Sequence, residues 1–181
     1  MSWPVARRLT LLLTTSMLVS ISLGRISNSW DMVVERCSPF GVRIDYYKGN
    51  DFTHNVKRTY VRNLDQRYMK GKHPVSELEG KPFSTRWKTH LFAPATGEYF
   101  FYSQSRHGIR VWIDDQLLID RWMDTPWDGS GWHGKMHLEA GLHPLRIEHY
   151  SKDGYGGVKL KWAGEHLLRE DVVRDSFLTK H

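Results

Sequence analysis

From Gly41 onward, apolar and polar positions alternate. Val42, Ile44 and Tyr46 enclose Arg43 and Asp45; Phe83, Thr85 and Trp87 enclose Ser84 and Arg86; Ile109, Val111 and Ile113 enclose Arg110 and Trp112. The same spacing returns at Met136 and Leu138, at Leu145 and Ile147, and at Val158, Leu160 and Trp162. Period two turns one face of a segment to a core and the other to water, so each segment reads as a β-strand. Turn formers separate them: Lys48-Gly49-Asn50-Asp51, Ala95-Thr96-Gly97, Ala140-Gly141 and Asp153-Gly154-Tyr155-Gly156-Gly157. Asp114-Asp115-Gln116 reads as a hairpin turn that returns Leu117 and Ile119 to the core. No stretch of helical period intervenes, which predicts an all-β antiparallel sandwich or barrel over 41–163. In the carboxy-terminal tail, 164–181, Leu167, Leu168, Val172, Val173 and Phe177 stand at spacings a short helix uses.

The amino-terminal segment has a different pattern. Arg7 and Arg8 precede a run of fifteen uncharged residues, Leu9 to Leu23, and Arg25 follows it. A basic start before a short apolar run is the pattern of a secretory signal, and Ser22 and Gly24 would supply a small-x-small cleavage site. Arg25 directly after that site argues against cleavage. Fifteen helical residues cover about 22 Å, less than the hydrocarbon core, but Trp3 and Trp30 lie about 40 Å apart as helix, which matches interface to interface. Arg7, Arg8 and Arg25 would snorkel outward. The favoured expectation is a retained single-pass anchor over 1–29 and a linker over 30–40. The two arginines ahead of the run place the amino terminus in the cytoplasm and the β-domain on the periplasmic side of the cytoplasmic membrane.

Composition narrows the function classes. Of 181 residues, 40% are hydrophobic and 25% charged, values of a folded domain rather than a disordered chain. One cysteine excludes an internal disulfide framework and a multi-cysteine zinc site. That residue, Cys37, has no lipobox before it and no nucleophile motif around it, and reads as an unpaired thiol or a link to a second chain. The net charge of +6 suits an anionic partner or lipid surface without identifying one. His133 and His137 have helical metal-ligand spacing but stand in a loop-then-strand region, so no metal is expected there. There is no phosphate loop and no nucleic-acid motif.

Several segments together carry a resemblance. Gly41-Val-Arg-Ile-Asp-Tyr-Tyr47 with Asp51-Phe52, Phe83-Ser-Thr-Arg-Trp87, Leu91 to Phe101, Gly108 to Asp120, Leu138 to Glu148 with Tyr150, and Gly157 to Trp162 follow one another in order. In that order and spacing they resemble the protective-antigen-type (PA fourteen) β-barrel family. The resemblance implies a non-catalytic module of the kind attached to glycosidases, adhesins and toxins. It also implies, in sugar-binding members, a calcium ion held by two adjacent aspartates just before the glycine matched by Gly108. Here those positions are Arg106 and His107. A guanidinium cannot ligate calcium and an imidazole is a poor calcium ligand, so that site is expected to be lost. Asp114, Asp115 and Asp120 match turn and strand positions and do not replace it.

Two further segments depart from a plain barrel. Arg121 to Gly134 reads as a long loop carrying Trp122, Trp127 and Trp132, rings that either cap the barrel end or dock a sugar face or protein. Val56 to Gly80 carries Lys57, Arg58, Arg62, Arg67, Lys70 and Lys72 against Asp65, Glu77 and Glu79, and reads as a solvated loop or a basic contact surface. With Arg106, His107 and Tyr155, the three tryptophans make up the candidate binding residues. No catalytic residue, metal or cofactor is expected. The favoured function is an accessory subunit that contacts integral membrane proteins and lipid in a larger assembly, such as a photosynthetic or respiratory one. The alternative is a calcium-independent carbohydrate-binding module tethered at the envelope. The two differ in whether the loop rings form an open platform or are buried against another chain.

Overall fold

The structure, a computed structural model, describes residues 41–124, 126, 131–165, 167, 171–172 and 178–179. The expected anchor and linker, with Trp3, Arg7, Arg8, Arg25, Trp30 and Cys37, lie outside these residues, as does Trp127.

Each alternating segment forms a strand. In chain order they are β1 (Val42–Lys48), β2 (His54–Val61), β3 (Asp65–Tyr68), β4 (Phe83–Ala93), β5 (Gly97–Ser105), β6 (Ile109–Ile113), β7 (Gln116–Arg121), β8 (Trp132–Leu138), β9 (Gly141–Ser151), β10 (Gly156–Gly164), β11 (Asp171–Val172) and β12 (Leu178–Thr179). Among the described residues, one antiparallel sheet runs β2-β1-β4-β9-β6-β7, with β12 beside β4. The other runs β11-β10-β5-β8, with β3 beside β10. The inward residues of both sheets make one core. Tyr46, Phe83, Trp87, Tyr99, Phe101 and Trp162 are fully buried in it. Burying a large apolar side chain contributes on the order of 2 kcal/mol. Tyr99 stacks on Trp162, with ring centroids 5.2 Å apart. Its hydroxyl donates to the Ala95 carbonyl at 2.7 Å, which ties the expected turn before β5.

Several expectations change. The segment Val56–Gly80 is not one loop: β2 runs into it from His54 and β3 lies within it, with a single 3-10 turn at Ser76–Leu78. β2 sits at a sheet edge and is largely exposed along its length, so it has no buried stripe to signal it. The long tryptophan loop is shorter than expected, because β7 runs to Arg121 and β8 begins at Trp132. Asp114 and Asp115 do turn a two-residue hairpin, both with positive φ (50° and 58°). A register shift then places Leu118 in excess, so Ile119 opposes Val111 inside while Leu117 opposes Trp112 outside, 49% exposed. In the tail, the described pieces are strands rather than a helix: Asp171–Val172 pair with β10 and Leu178–Thr179 with β4. Open ladder edges on β10 and β4 outweigh the weak helical spacing there.

Candidate functional site

Strand β5 ends at Ser105 and β6 begins at Ile109, so Arg106 and His107 form a corner at one end of the sandwich. His107 has φ +67°, a left-handed conformation that non-glycine residues adopt at a cost. Two contacts hold it. Ser105 Oγ donates to the His107 carbonyl at 3.1 Å. Beneath it, fully buried His149 donates from Nε2 to the Arg106 carbonyl at 2.9 Å. Burial pushes the His149 pKa down to about 4, against the pull of that carbonyl and with the help of nearby His107. His149 is therefore a neutral donor at neutral pH.

Two carboxylates from distant loops face the corner. Arg106 Nη2 donates to Asp153 Oδ2 at 2.6 Å. The His107 ring lies between both acids, Nε2 3.4 Å from Asp153 Oδ1 and Nδ1 3.5 Å from Asp124 Oδ1. Tyr150 donates its hydroxyl to Asp124 at 2.9 Å, and the Lys152 ammonium donates to the other Asp124 oxygen. The Lys152 and Tyr150 hydrogen bonds hold Asp124 below the usual carboxylate range. At Asp153 burial opposes ionisation, but the Tyr155 N–H, Arg106 and His107 outweigh it and lower the pKa. Burial, and the bond to Asp124, push the Tyr150 hydroxyl up to about 12.

The loop carrying Asp153 is shaped locally. Asp153 Oδ1 accepts the Tyr155 N–H at 3.1 Å, the side-chain turn expected of Asp two residues before. Ser151 donates to the Tyr155 carbonyl at 2.8 Å. Gly154 has φ +78° and Gly156 φ +123°; a Cβ on Gly156 would stand 2.7 Å from the Arg106 Cβ. The glycines thus let the loop lie against the corner.

The network decides the calcium question on chemistry. Calcium needs hard anionic oxygens from these two positions. They instead present a guanidinium and an imidazole, already directed at Asp153 and Asp124. Arg106 and Lys152 bring two positive charges to two carboxylates, so the loop end is neutralised by side chains. The residues do not fit the ion.

Beside the corner is a cleft of about 340 Å³ lined by Arg67, Tyr68, Met69, Lys70, Arg106, Tyr155 and Gly156. It joins two features that stand far apart in sequence, the basic segment of β3 and the Arg106–Tyr155 pair. The structure thus gathers Arg106, His107 and Tyr155 at one place. Trp122 joins them from the side: its ring lies 4.8 Å from Tyr150 and 5.9 Å from Phe52, under the Arg110 guanidinium at 4.7 Å. Trp132 is elsewhere, packed against the core edge with Arg121 3.3 Å over its ring. These two rings fold back on their own chain. His133 and His137 lie on β8, where four residues span about 13 Å, too far to share an ion. Sequence reasoning missed Asp124, Lys152 and Asp153, which no motif marks. It did single out Arg67 and Lys70, but as part of a loop.

Comparison with known proteins agrees with this architecture. The family described as PA14 domain matches residues 40–176. The anti-sigma-I factor RsgI3 of Acetivibrio thermocellus is 32% identical over 100 residues, 55% of this chain and 15% of that protein. A structure of an anti-sigma factor domain-containing protein from Clostridium clariflavum superposes with a TM-score of 0.67 at 29% identity, covering 78% of this chain and 47% of that one. The PA14 sugar-binding domain from an RTX adhesin superposes with a TM-score of 0.64 at 11% identity, covering 80% of this chain and all of that one, a likeness of fold alone. The chain thus spans about half or less of the length of the anti-sigma relatives.

Proposed function

This chain belongs to the PA14 domain family, and from that membership we propose that it is a non-catalytic, extracytoplasmic carbohydrate-binding module whose loop-end site works without calcium. The observation that carries this is the Arg106–Asp153 and Lys152–Asp124 network, which closes the loop end with side-chain cations where the resemblance puts the metal. A saccharide in the adjacent cleft packs a sugar face on Tyr155 and offers its hydroxyls to Arg106, Arg67 and Lys70. The apolar run at the amino terminus tethers the module outside the cytoplasmic membrane. The likeness in fold to the sugar-binding PA14 domain of an RTX adhesin supports this reading. The reading as an accessory subunit of a photosynthetic or respiratory assembly draws no support from the relatives reported above.

The test is retention of the full chain, in mild detergent, on an array of plant, fungal and bacterial glycans with calcium and then with a chelator. We expect one glycan class to be retained equally in both, and R106Q/Y155A to lose at least tenfold in affinity. A calcium requirement would overturn the metal-independent site. Absence of any saccharide binding would overturn the module itself.

A further inference from the structure

The outer face of the larger sheet carries two adjacent rows that cross its strands, and their charges differ. One row reads, through successive cross-strand partners, Arg58, Asp45, Arg86, Glu148, Arg110 and Asp120. Signs alternate, and neighbours pair: Arg58–Asp45 at 2.6 Å, Arg86–Glu148 at 2.9 Å and Arg110–Asp120 at 2.8 Å. This row is self-neutralised. The next row, two residues along each strand and three along β7 where the register shifts, reads Tyr60, Arg43, Lys88, Arg146, Trp112 and Leu117. It holds three cations and no acid.

We propose that this second row is a binding track for an acidic polysaccharide. Strands about 4.8 Å apart set Arg43, Lys88 and Arg146 in a line about 10 Å long, within a row of about 24 Å. Among the described residues neither Lys88 nor Arg146 has an ion-pair partner. The acids of the neighbouring row are engaged: Asp45 with Arg58 and, at 3.3 Å, with Arg43; Glu148 with Arg86. On the other side Asp114 lies 2.6 Å from His143. The Arg146 guanidinium lies over Trp112, 4.1 Å from its centroid, in a cleft of about 120 Å³ that Lys88 and Pro144 also line, with Asp115 lining it at the turn end. Tyr60 is 56% exposed at the opposite end.

The occupant follows from shape and charge. A single small anion needs donors that converge, and these are spread in a line. The exposed apolar groups of this row, Tyr60 and Leu117, stand at its opposite ends with the cations between them, which suits a chain laid along the row rather than a bilayer face. A linear polymer carrying an anion on successive sugars meets the cations in order, with the exposed Tyr60 ring at one end of the row to stack on a sugar face. Such contacts between exposed charges are individually weak, and their sum gives a salt-sensitive association. The inference rests on the carbohydrate-binding reading but uses a face separate from the loop-end cleft.

The experiment measures binding of the full chain in mild detergent to alginate oligosaccharides, dextran sulfate, neutral dextran and phosphatidylglycerol vesicles. We expect alginate to bind, K88Q/R146Q to weaken it at least tenfold, and K72Q and K81Q, exposed cations away from the row, each to stay within twofold. The charge reversal K88E should weaken it further, with an unchanged melting profile as the control for folding. Dextran sulfate bound through the same residues would extend the track to sulfate esters. Alginate binding that K88Q/R146Q leaves unchanged would overturn the site. Binding of neutral glycans alone would overturn the track and leave the module standing, and failure of every glycan would overturn both. Vesicles bound through Lys88 and Arg146 without alginate binding would make the row a lipid surface and overturn the proposal.

Discussion

His149 shows how one side chain serves both fold and site. Its ring is stacked 5.9 Å from Tyr68 and lies 6.1 Å from Phe83, while its Nε2 fixes the Arg106 carbonyl. Its folded pKa, about 4, is below the ordinary 6.5. As pH falls through about 6.5 the unfolded chain takes up a proton and the folded chain does not until about 4, so stability is full above this window and falls within it. The full difference is on the order of 3 kcal/mol. Burial lowers the pKa of His73 as well, which acts in the same direction. Asp124 and Asp153, held below 3.8, add their loss only in stronger acid. Urea denaturation between about pH 7 and pH 4.5 should show this decline, and His149→Gln should flatten it; an unaltered slope would assign it elsewhere. Gly156 is the second sensitive residue. Gly156→Ala sets a Cβ 2.7 Å from the Arg106 stem at φ +123°, and should cost about 1–3 kcal/mol in the same assay while shifting Arg106 off Asp153.

Among the elements, the larger sheet depends on its charge row. Glu148 is nearly buried, bonds Arg86, and opposes Arg110 across β6. Glu148→Gln should destabilise by about 2–3 kcal/mol, because Arg86 and Arg110 then face each other without the intervening charge. Asp45→Asn should do the same between Arg58 and Arg86, and a double variant should fall short of the sum because both acids contact Arg86's strand. The strands that were legible in sequence are those with one buried face: β1, β4, β6, β9 and β10 alternate because the core enforces it. β2 lacked that signal at its exposed edge, and Leu117 followed period two in sequence but not in space because a bulge intervenes. Ser84 was expected outside and is fully buried, since Tyr47 and Tyr150 flank it in the register. The corner at Arg106 and His107 was legible through a resemblance. Its partners were not, because Asp153 and Asp124 arrive from loops 47 and 17 positions away, and the pairing exists only once β5, β6 and β9 are assembled.

For the whole molecule, the tail decides how the sandwich ends. Lys161 and Trp162 of β10 take Val172 and Asp171 as partners, and Leu91 and His90 of β4 take Leu178 and Thr179. A two-residue strand adds few hydrogen bonds, each contributing about 1 kcal/mol, so its stabilising share is small. Its larger effect is to occupy an edge. β10 backs fully buried Trp162, and an open edge there offers unpaired N–H and C=O groups to another chain. Truncation after Gly164 should therefore lower the unfolding free energy by only about 2 kcal/mol while raising self-association. Light scattering of the full chain and the truncated chain, in the same detergent and over a concentration series, separates the two effects. Growth of larger species at concentrations where the truncated chain is still folded by circular dichroism is the expected result. A truncated chain that unfolds without associating would make the tail a source of stability rather than a guard of the sheet edges.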